Sequence, residues 1–167
     1  MQAPDFTLPD LDGRAHSLSQ YRGKLVVLEW TNPGCPYVQR HYASDTMEKL
    51  AKRYGAQGVV WVAANSTHDN TPADTLSWKS EQGFEYATLQ DSSGELGKLY
   101  GARTTPHMFI IDAQGVLRYA GAIDDDPNGD AATPVNYVGG AVKAVLAGAS
   151  PDPSETKPYG CSVKYKK

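Results

Sequence analysis

The sequence predicts an α/β fold: a mixed central sheet flanked by helices, with an extended or hairpin lead-in and an irregular C-terminal tail. Three observations predict it. Short apolar runs rich in β-branched residues, at 25–30, 58–64 and 108–112, suit buried strands. Segments with helical apolar spacing separate the early runs, which requires parallel crossovers, while the last run turns straight into another strand and adds an antiparallel edge. The chain has 167 residues, the length of one domain. A domain over 1–147 and a tail over 148–167, with three prolines and two glycines, divide it.

The elements follow in order. Residues 1–23 carry the turn Pro9-Asp10-Leu11-Asp12-Gly13 between short apolar pieces, which reads as a hairpin. Leu25-Val26-Val27-Leu28-Glu29-Trp30 is a buried strand interrupted by one charge, Glu29. Residues 36–54 read as one helix, with Val38, Tyr42, Met47, Leu50 and Tyr54 near helical spacing. Pro36 suits its first turn and Gly55 its end. A second strand spans 58–64. A helix opens at Thr71-Pro72 and ends before Gly83. A short strand at 86–89 and a short helix at 94–100 follow. The strand at 108–112 turns through Ala113-Gln114-Gly115 into 116–119. The last helix spans 135–147, with Val138, Val142, Val145 and Leu146 on one side.

Composition excludes several classes. Sixteen basic against nineteen acidic residues give a net charge of −3, so no basic field attracts nucleic acid or anionic lipid. No apolar window is long enough to span a bilayer. Met1-Gln2-Ala3-Pro4 shows no basic and apolar leader pattern, so no signal peptide is visible. A bacterial cytoplasmic location fits, or a periplasmic one if Met1 replaces a cleaved leader. Two cysteines, Cys35 and Cys161, are too few for a disulfide framework or a cysteine-rich zinc domain.

Cys35 falls between a buried strand and a helix start. There the unpaired first-turn N–H groups and the positive end of the helix dipole favour a thiolate. The alternative is a buried, inert cysteine. Thr105-Pro106 stands at the entrance of the strand at 108–112. It is either a cis proline in a specific turn or an ordinary trans proline at a strand start.

Residues Arg22-Gly23-Lys24 through Pro33-Gly34-Cys35-Pro36-Tyr37-Val38 resemble the active-site strand and turn of the thioredoxin superfamily, in its peroxiredoxin-like branch. Ala3-Pro4-Asp5-Phe6-Thr7-Leu8 resembles that branch's lead-in. Thr105-Pro106, with Phe109-Ile110-Ile111-Asp112 and Gly115, resembles its cis-proline loop and following strand. The resemblance covers positions 3 to about 147. It implies a thioredoxin-like fold and a thiol oxidoreductase, acting on peroxide or a disulfide and recycled by an external dithiol, with no cofactor. It also implies that Cys35 is the redox nucleophile and Glu29 a buried proton acceptor, although Glu29 reads equally as an edge or end-of-strand acid that reaches solvent. Pro106 and Thr105 would then shape the substrate groove.

Three departures bear on function. Val38 stands where thioredoxin-type reductases carry their second cysteine. Leu28 and Asn32 stand where peroxiredoxins carry a proline and a threonine. Pro106 stands near their activating arginine, with Arg103 three residues earlier.

Cys161 is the one remaining partner for Cys35. About 13 tail residues at up to about 3.3 Å each reach on the order of 40 Å, enough to cross a small domain. Gly160 would give a partner sulfur close access, and Lys157, Lys164, Lys166 and Lys167 would favour a thiolate. Some peroxiredoxins place a resolving cysteine in a C-terminal segment, so the leading expectation is that Cys161 resolves Cys35, within one chain or between two. A structural disulfide and an unpaired tail thiol remain as alternatives. Three readings of the whole chain follow: a peroxiredoxin-like enzyme, a reductase or isomerase of protein disulfides, and a non-enzymatic redox switch. A monomer or a homodimer fits each.

The remaining residues carry weaker signals. His107, after Pro106, would be a polar neighbour of the thiol. Trp30 and Tyr37 would form an apolar rim for substrate, or Trp30 would be core. Arg40 would be solvated or an anion contact. Cys35, His41 and His107 lack the second thiol of a metal site on this kind of fold, so no metal is assigned. Asp124-Asp125-Asp126-Pro127-Asn128-Gly129 matches the start of a calcium loop, but Val135 replaces its twelfth-position acid. An acidic surface turn is the plainer reading.

Overall fold

The computed structural model describes residues 1–167. β1 (Thr7–Pro9) and β2 (Ala15–Ser17) form the antiparallel hairpin expected at the start. The central sheet contains β3 (Val26–Thr31), β4 (Val60–Asn65), β5 (Ala87–Gln90), β7 (His107–Ile111) and β8 (Leu117–Gly121), in the order β5-β4-β3-β7-β8. β3, β4 and β5 run parallel, while β7 and β8 complete the sheet antiparallel. This is the mixed sheet the alternation predicts.

Strand alternation assigns each residue of β3 to a face. Val27 belongs to the larger core, formed with α1 (Pro36–Ala43), α2 (Thr46–Gly55), α3 (Pro72–Gln82) and α5 (Tyr137–Leu146). Leu28 and Trp30 belong to the second core, which includes Leu96 of α4 (Glu95–Tyr100). Because both faces are covered, β3 reads as a nearly unbroken apolar run.

The single helix expected over 36–54 is two helices. Asp45 adopts a left-handed conformation, φ 57°, between α1 and α2. A short polar side chain tolerates that region best. In an unbroken helix Tyr42 and Met47 would point about 140° apart. The break lets both bury in the same core, at 5% and 0% exposure. α5 is also shorter than expected: Asn136 caps it by accepting the Gly139 N–H at 2.7 Å, and Val135 is left exposed. Val138 and Val142 are fully buried, whereas Leu146 is exposed.

The tail is irregular but fixed along its length. Thr156 N–H donates to Ala120 O, and its hydroxyl accepts the Ala122 N–H. β9 (Cys161–Ser162) pairs antiparallel with β6 (Thr104–Thr105), placing Cys161 opposite Thr105. Beyond it, Val163 N–H donates to Arg103 O and the Tyr165 hydroxyl to Ala102 O. The tail therefore straps the end of the sheet from β8 to α4. No helix is long and apolar enough to cross a membrane.

Candidate active site

Cys35 is the N-cap of α1, extended at φ −85° and ψ 122°, with Pro36 in the first turn. β3 delivers it to the carboxyl end of the parallel strands, where sites in open α/β sheets collect. The Cys35 thiol donates to Thr105 O at 3.2 Å, and its Sγ lies 2.7 Å from Cys161 Sγ. Cys35 is 1% exposed, and Cys161 is half-buried. The Thr105–Pro106 peptide bond is cis.

The two thiols differ electrostatically. Burial works against a Cys35 thiolate, but hydrogen bonds from Cys161, from Thr105 and from the Val38 N–H outweigh it and hold the thiol below its ordinary value. The Thr105 hydroxyl is buried without another partner, free to turn onto the sulfur. Cys161 is pushed up to about 11, by burial first and then by the Cys35 sulfur beside it. The lysine-rich tail was expected to favour a Cys161 thiolate. Of those lysines only Lys164 pulls the thiol down, and it is outweighed.

Gly160 has a role other than access for a sulfur. Its φ is 145°, and a Cβ there would collide with the Thr105 carbonyl. The missing side chain lets the tail lie on β6.

Glu29 is fully buried on the α1 side of β3. Tyr42 donates to its Oε2 at 2.6 Å, Trp61 Nε1–H donates to Oε1 at 2.8 Å, and the Tyr86 hydroxyl meets that of Tyr42. Burial raises its pKa to about 7, against the pull of these donors. Neither sulfur is among its hydrogen-bond partners.

His107 and Trp30 lie elsewhere than expected. His107 stacks on Phe109 at 4.5 Å and its Nδ1 accepts the Arg103 N–H, so its ring belongs with the second core rather than beside the thiol. Burial and Arg103 lower its pKa to about 4, which keeps it neutral. Trp30 is fully buried in that core, donating Nε1–H to Ser66 at 3.0 Å, and offers no rim to a substrate. Tyr37 does stand at the site, edge-on to Tyr159 at 5.8 Å. The Arg103 side chain is exposed and bonds to neither sulfur.

Arg40 is not simply solvated. It donates to Pro127 O at 2.8 Å, to Asp126 O at 2.9 Å and to the Tyr159 hydroxyl at 3.3 Å. The acidic turn is folded on itself: Asp126 accepts N–H groups from Gly129, Asp130 and Ala131, and Asp124 accepts the Asp126 N–H. Tyr159, Tyr42, Trp61 and Tyr86 carried no signal in the sequence as site residues, Tyr42 and Trp61 standing out only as core positions. Each joins the site through a hydroxyl or indole bond to a residue far away in the chain.

Comparison with known proteins agrees with this architecture. The model of the AhpC/TSA family matches residues 1–120.

The chain belongs to the AhpC/TSA family.

Among relatives, the thiol-disulfide oxidoreductase ResA of Geobacillus thermodenitrificans is 31% identical over 116 residues, which is 70% of this chain and 64% of that protein. The thiol:disulfide interchange protein DsbE of Escherichia coli K12 is 33% identical over 130 residues, 74% of this chain and 65% of that protein. A Mycobacterium tuberculosis protein named as a candidate peroxiredoxin is 30% identical over 129 residues, 75% of this chain and 77% of that protein. This AhpC/TSA member thus spans just under two thirds of the ResA and DsbE relatives. Among solved structures, a hypothetical protein of Sinorhizobium meliloti superposes with a TM-score of 0.88 at 27% identity, covering 99% of this chain and 93% of that one. An uncharacterized protein of Geobacillus kaustophilus gives 0.86 at 29%, covering 99% and 91%. Those alignments include the tail. The fold is thioredoxin-like, as likeness to a DsbE-type protein of Chlorobium tepidum also shows (TM-score 0.64, 28% identity, 71% of this chain and 81% of that one).

Proposed function

We propose that this chain is a thiol-dependent peroxide reductase in which Cys35 is the nucleophile and Cys161 the resolving thiol. The observation that carries the reading is the 2.7 Å contact between the sulfurs of the chain's only two cysteines, one favoured as thiolate and the other held as thiol. The Cys35 thiolate attacks a peroxide oxygen and the O–O bond breaks. The leaving oxygen takes a proton and departs as water or an alcohol, leaving Cys35 as sulfenic acid. That conversion removes the charge that disfavoured a Cys161 thiolate. Cys161 then loses its proton and attacks the Cys35 sulfur, water leaves, and a disulfide forms. An external dithiol returns two electrons and two protons. Glu29, with a pKa near 7, holds a proton close to neutrality but touches neither sulfur.

The burial of Cys35 favours a small oxidant. A second reading, exchange with a protein disulfide, is supported by the names of the ResA and DsbE relatives. It requires the strap to leave, because a bulky disulfide cannot reach a sulfur that is 1% exposed.

Single-turnover peroxide consumption by the reduced protein separates the readings. The wild type is expected to consume one equivalent and end with a Cys35–Cys161 disulfide, seen by non-reducing peptide mapping. Cys161→Ser should consume it and end as sulfenic acid, and Cys35→Ser should not react. Equal rates in wild type and Cys35→Ser would exclude peroxide reduction. Reduction of a protein disulfide without peroxide consumption would establish the second reading.

A further inference from the structure

We propose that Tyr159 is the positioning residue of the resolving thiol, a latch that ties Cys161 to the helix carrying Cys35. The inference rests on the reading of Cys161 as resolving thiol and adds to it the group that holds Cys161 in place.

Three partners converge on the Tyr159 hydroxyl. It donates to Asp124 Oδ1, and it lies 2.9 Å from His41 Nε2 and 3.3 Å from Arg40 Nη2. A phenol has one proton to give and two lone pairs to accept with. Donation to Asp124, with acceptance from the Arg40 N–H and from an Nε2–H of neutral His41, fills all three. The acceptor is a carboxylate and one donor a guanidinium, so two of these bonds are charge-assisted. The ring is held as well, edge-on to Tyr37 and 6.0 Å from the Arg40 guanidinium carbon.

The location of this seat in the fold gives it significance. Arg40 and His41 belong to α1, the helix that Cys35 caps. Asp124 lies in the loop whose carbonyls at Asp126 and Pro127 hold Arg40 from the other side. The other anchors of the tail attach elsewhere: Thr156 to the end of β8, and Val163 and Tyr165 to the segment after α4. Tyr159, two positions from Cys161, fastens the tail to the nucleophile's own helix through the side chains of Arg40 and His41, next to the Tyr37 N–H that meets the Cys161 sulfur. Gly160 between them permits the approach of the chain to Thr105. Tyr159-Gly160-Cys161 thus works as one unit: a latch, a close backbone approach and the thiol.

Without the latch, the reduced tail gains freedom near Cys161 and the two sulfurs spend less time in contact. The quantity that reports this is the effective concentration of Cys161 at Cys35, read from the equilibrium of the Cys35–Cys161 disulfide with glutathione. Tyr159→Phe keeps the ring and removes only the hydroxyl. It is expected to lower that effective concentration about tenfold, a shift of about 30 mV. Under excess peroxide it should also raise the fraction of Cys35 driven to sulfinic acid, because resolution slows. Tyr165→Phe removes a hydroxyl from the same tail and should leave both readouts at the wild-type value. Equal equilibria in Tyr159→Phe and wild type overturn the latch while leaving the resolving role standing. A shift in Tyr165→Phe as large as that in Tyr159→Phe also overturns it, since general loosening of the tail would then be the cause. A wild type that forms no Cys35–Cys161 disulfide removes the resolving role and the latch together.

Discussion

Cys35 and Cys161 are 126 positions apart in the chain, and their sulfurs lie 2.7 Å apart in the fold. Their proton affinities depend on burial first and then on each other. After burial, the strongest influence holding Cys161 up to about 11 is the Cys35 sulfur, and the leading hydrogen bond holding Cys35 down is the Cys161 thiol. Removing one sulfur must therefore move the other. In Cys35→Ser, the alkylation pH profile of Cys161 is expected to shift downward from about 11 toward the ordinary thiol range near 8.5. In Cys161→Ser, the Cys35 profile should shift upward. Unchanged profiles would show that the sulfurs do not sense each other in solution.

The strap covers Cys35, and Gly160 is where it can be lifted. A side chain at 160 meets the Thr105 carbonyl and strains a backbone at φ 145°. Gly160→Ala is expected to cost on the order of 1–3 kcal/mol of docking. It should raise the alkylation rate of Cys35, now 1% exposed, by about 5- to 150-fold. The global unfolding transition should persist, since the two cores lie beneath the strap. An unchanged alkylation rate would mean that the strap does not limit access.

The fold was legible because both faces of the sheet are covered, so residues 25–30, 58–64 and 108–112 stand out as apolar runs. The break at Asp45 was not legible, because one left-handed residue leaves the apolar spacing on either side intact. Among the candidate site residues, Cys35 and Cys161 stood out through turn chemistry and the scarcity of thiols, while Thr105-Pro106 stood out mainly through the family resemblance, its local signal fitting a trans proline equally well. Tyr159 was not: its partners lie 35, 118 and 119 positions away, and no local pattern encodes such contacts. Of the two readings of Trp30, rim and core, the core holds, and His107 stacks on Phe109 rather than facing the thiol, because nearness in sequence is not nearness in space. The period of two along a strand already puts Trp30 on the face opposite Glu29.

Glu29 makes stability depend on pH in the unusual direction for a carboxyl. Its folded pKa is about 7 against 4.5 for the free side chain. Between those values the folded state keeps a proton that the unfolded chain releases, so stability falls as pH rises and levels off above about 7. The loss is on the order of 3 kcal/mol for a shift of this size. Urea midpoints should show the wild type losing stability, relative to Glu29→Gln, between about pH 4.5 and pH 7. Parallel profiles would place the Glu29 titration outside this window.

His107 produces the opposite limb. Burial first, and Arg103 second, lower its pKa from 6.5 to about 4. As pH falls from about 6.5 toward 4, the unfolded chain takes up a proton that the folded state refuses, so stability falls with acidification. The contribution is on the order of 3 kcal/mol and is complete at about the folded pKa. His107→Asn keeps a side-chain acceptor near the Arg103 N–H but has nothing to titrate. Its urea midpoint should therefore fall less than that of the wild type between pH 6.5 and 4, while Glu29 and the surface carboxylates contribute equally to both proteins and cancel in the comparison. If the two proteins lose stability in parallel, His107 is protonated in the folded state, and its ring must then reach solvent or an acceptor rather than lie stacked on Phe109.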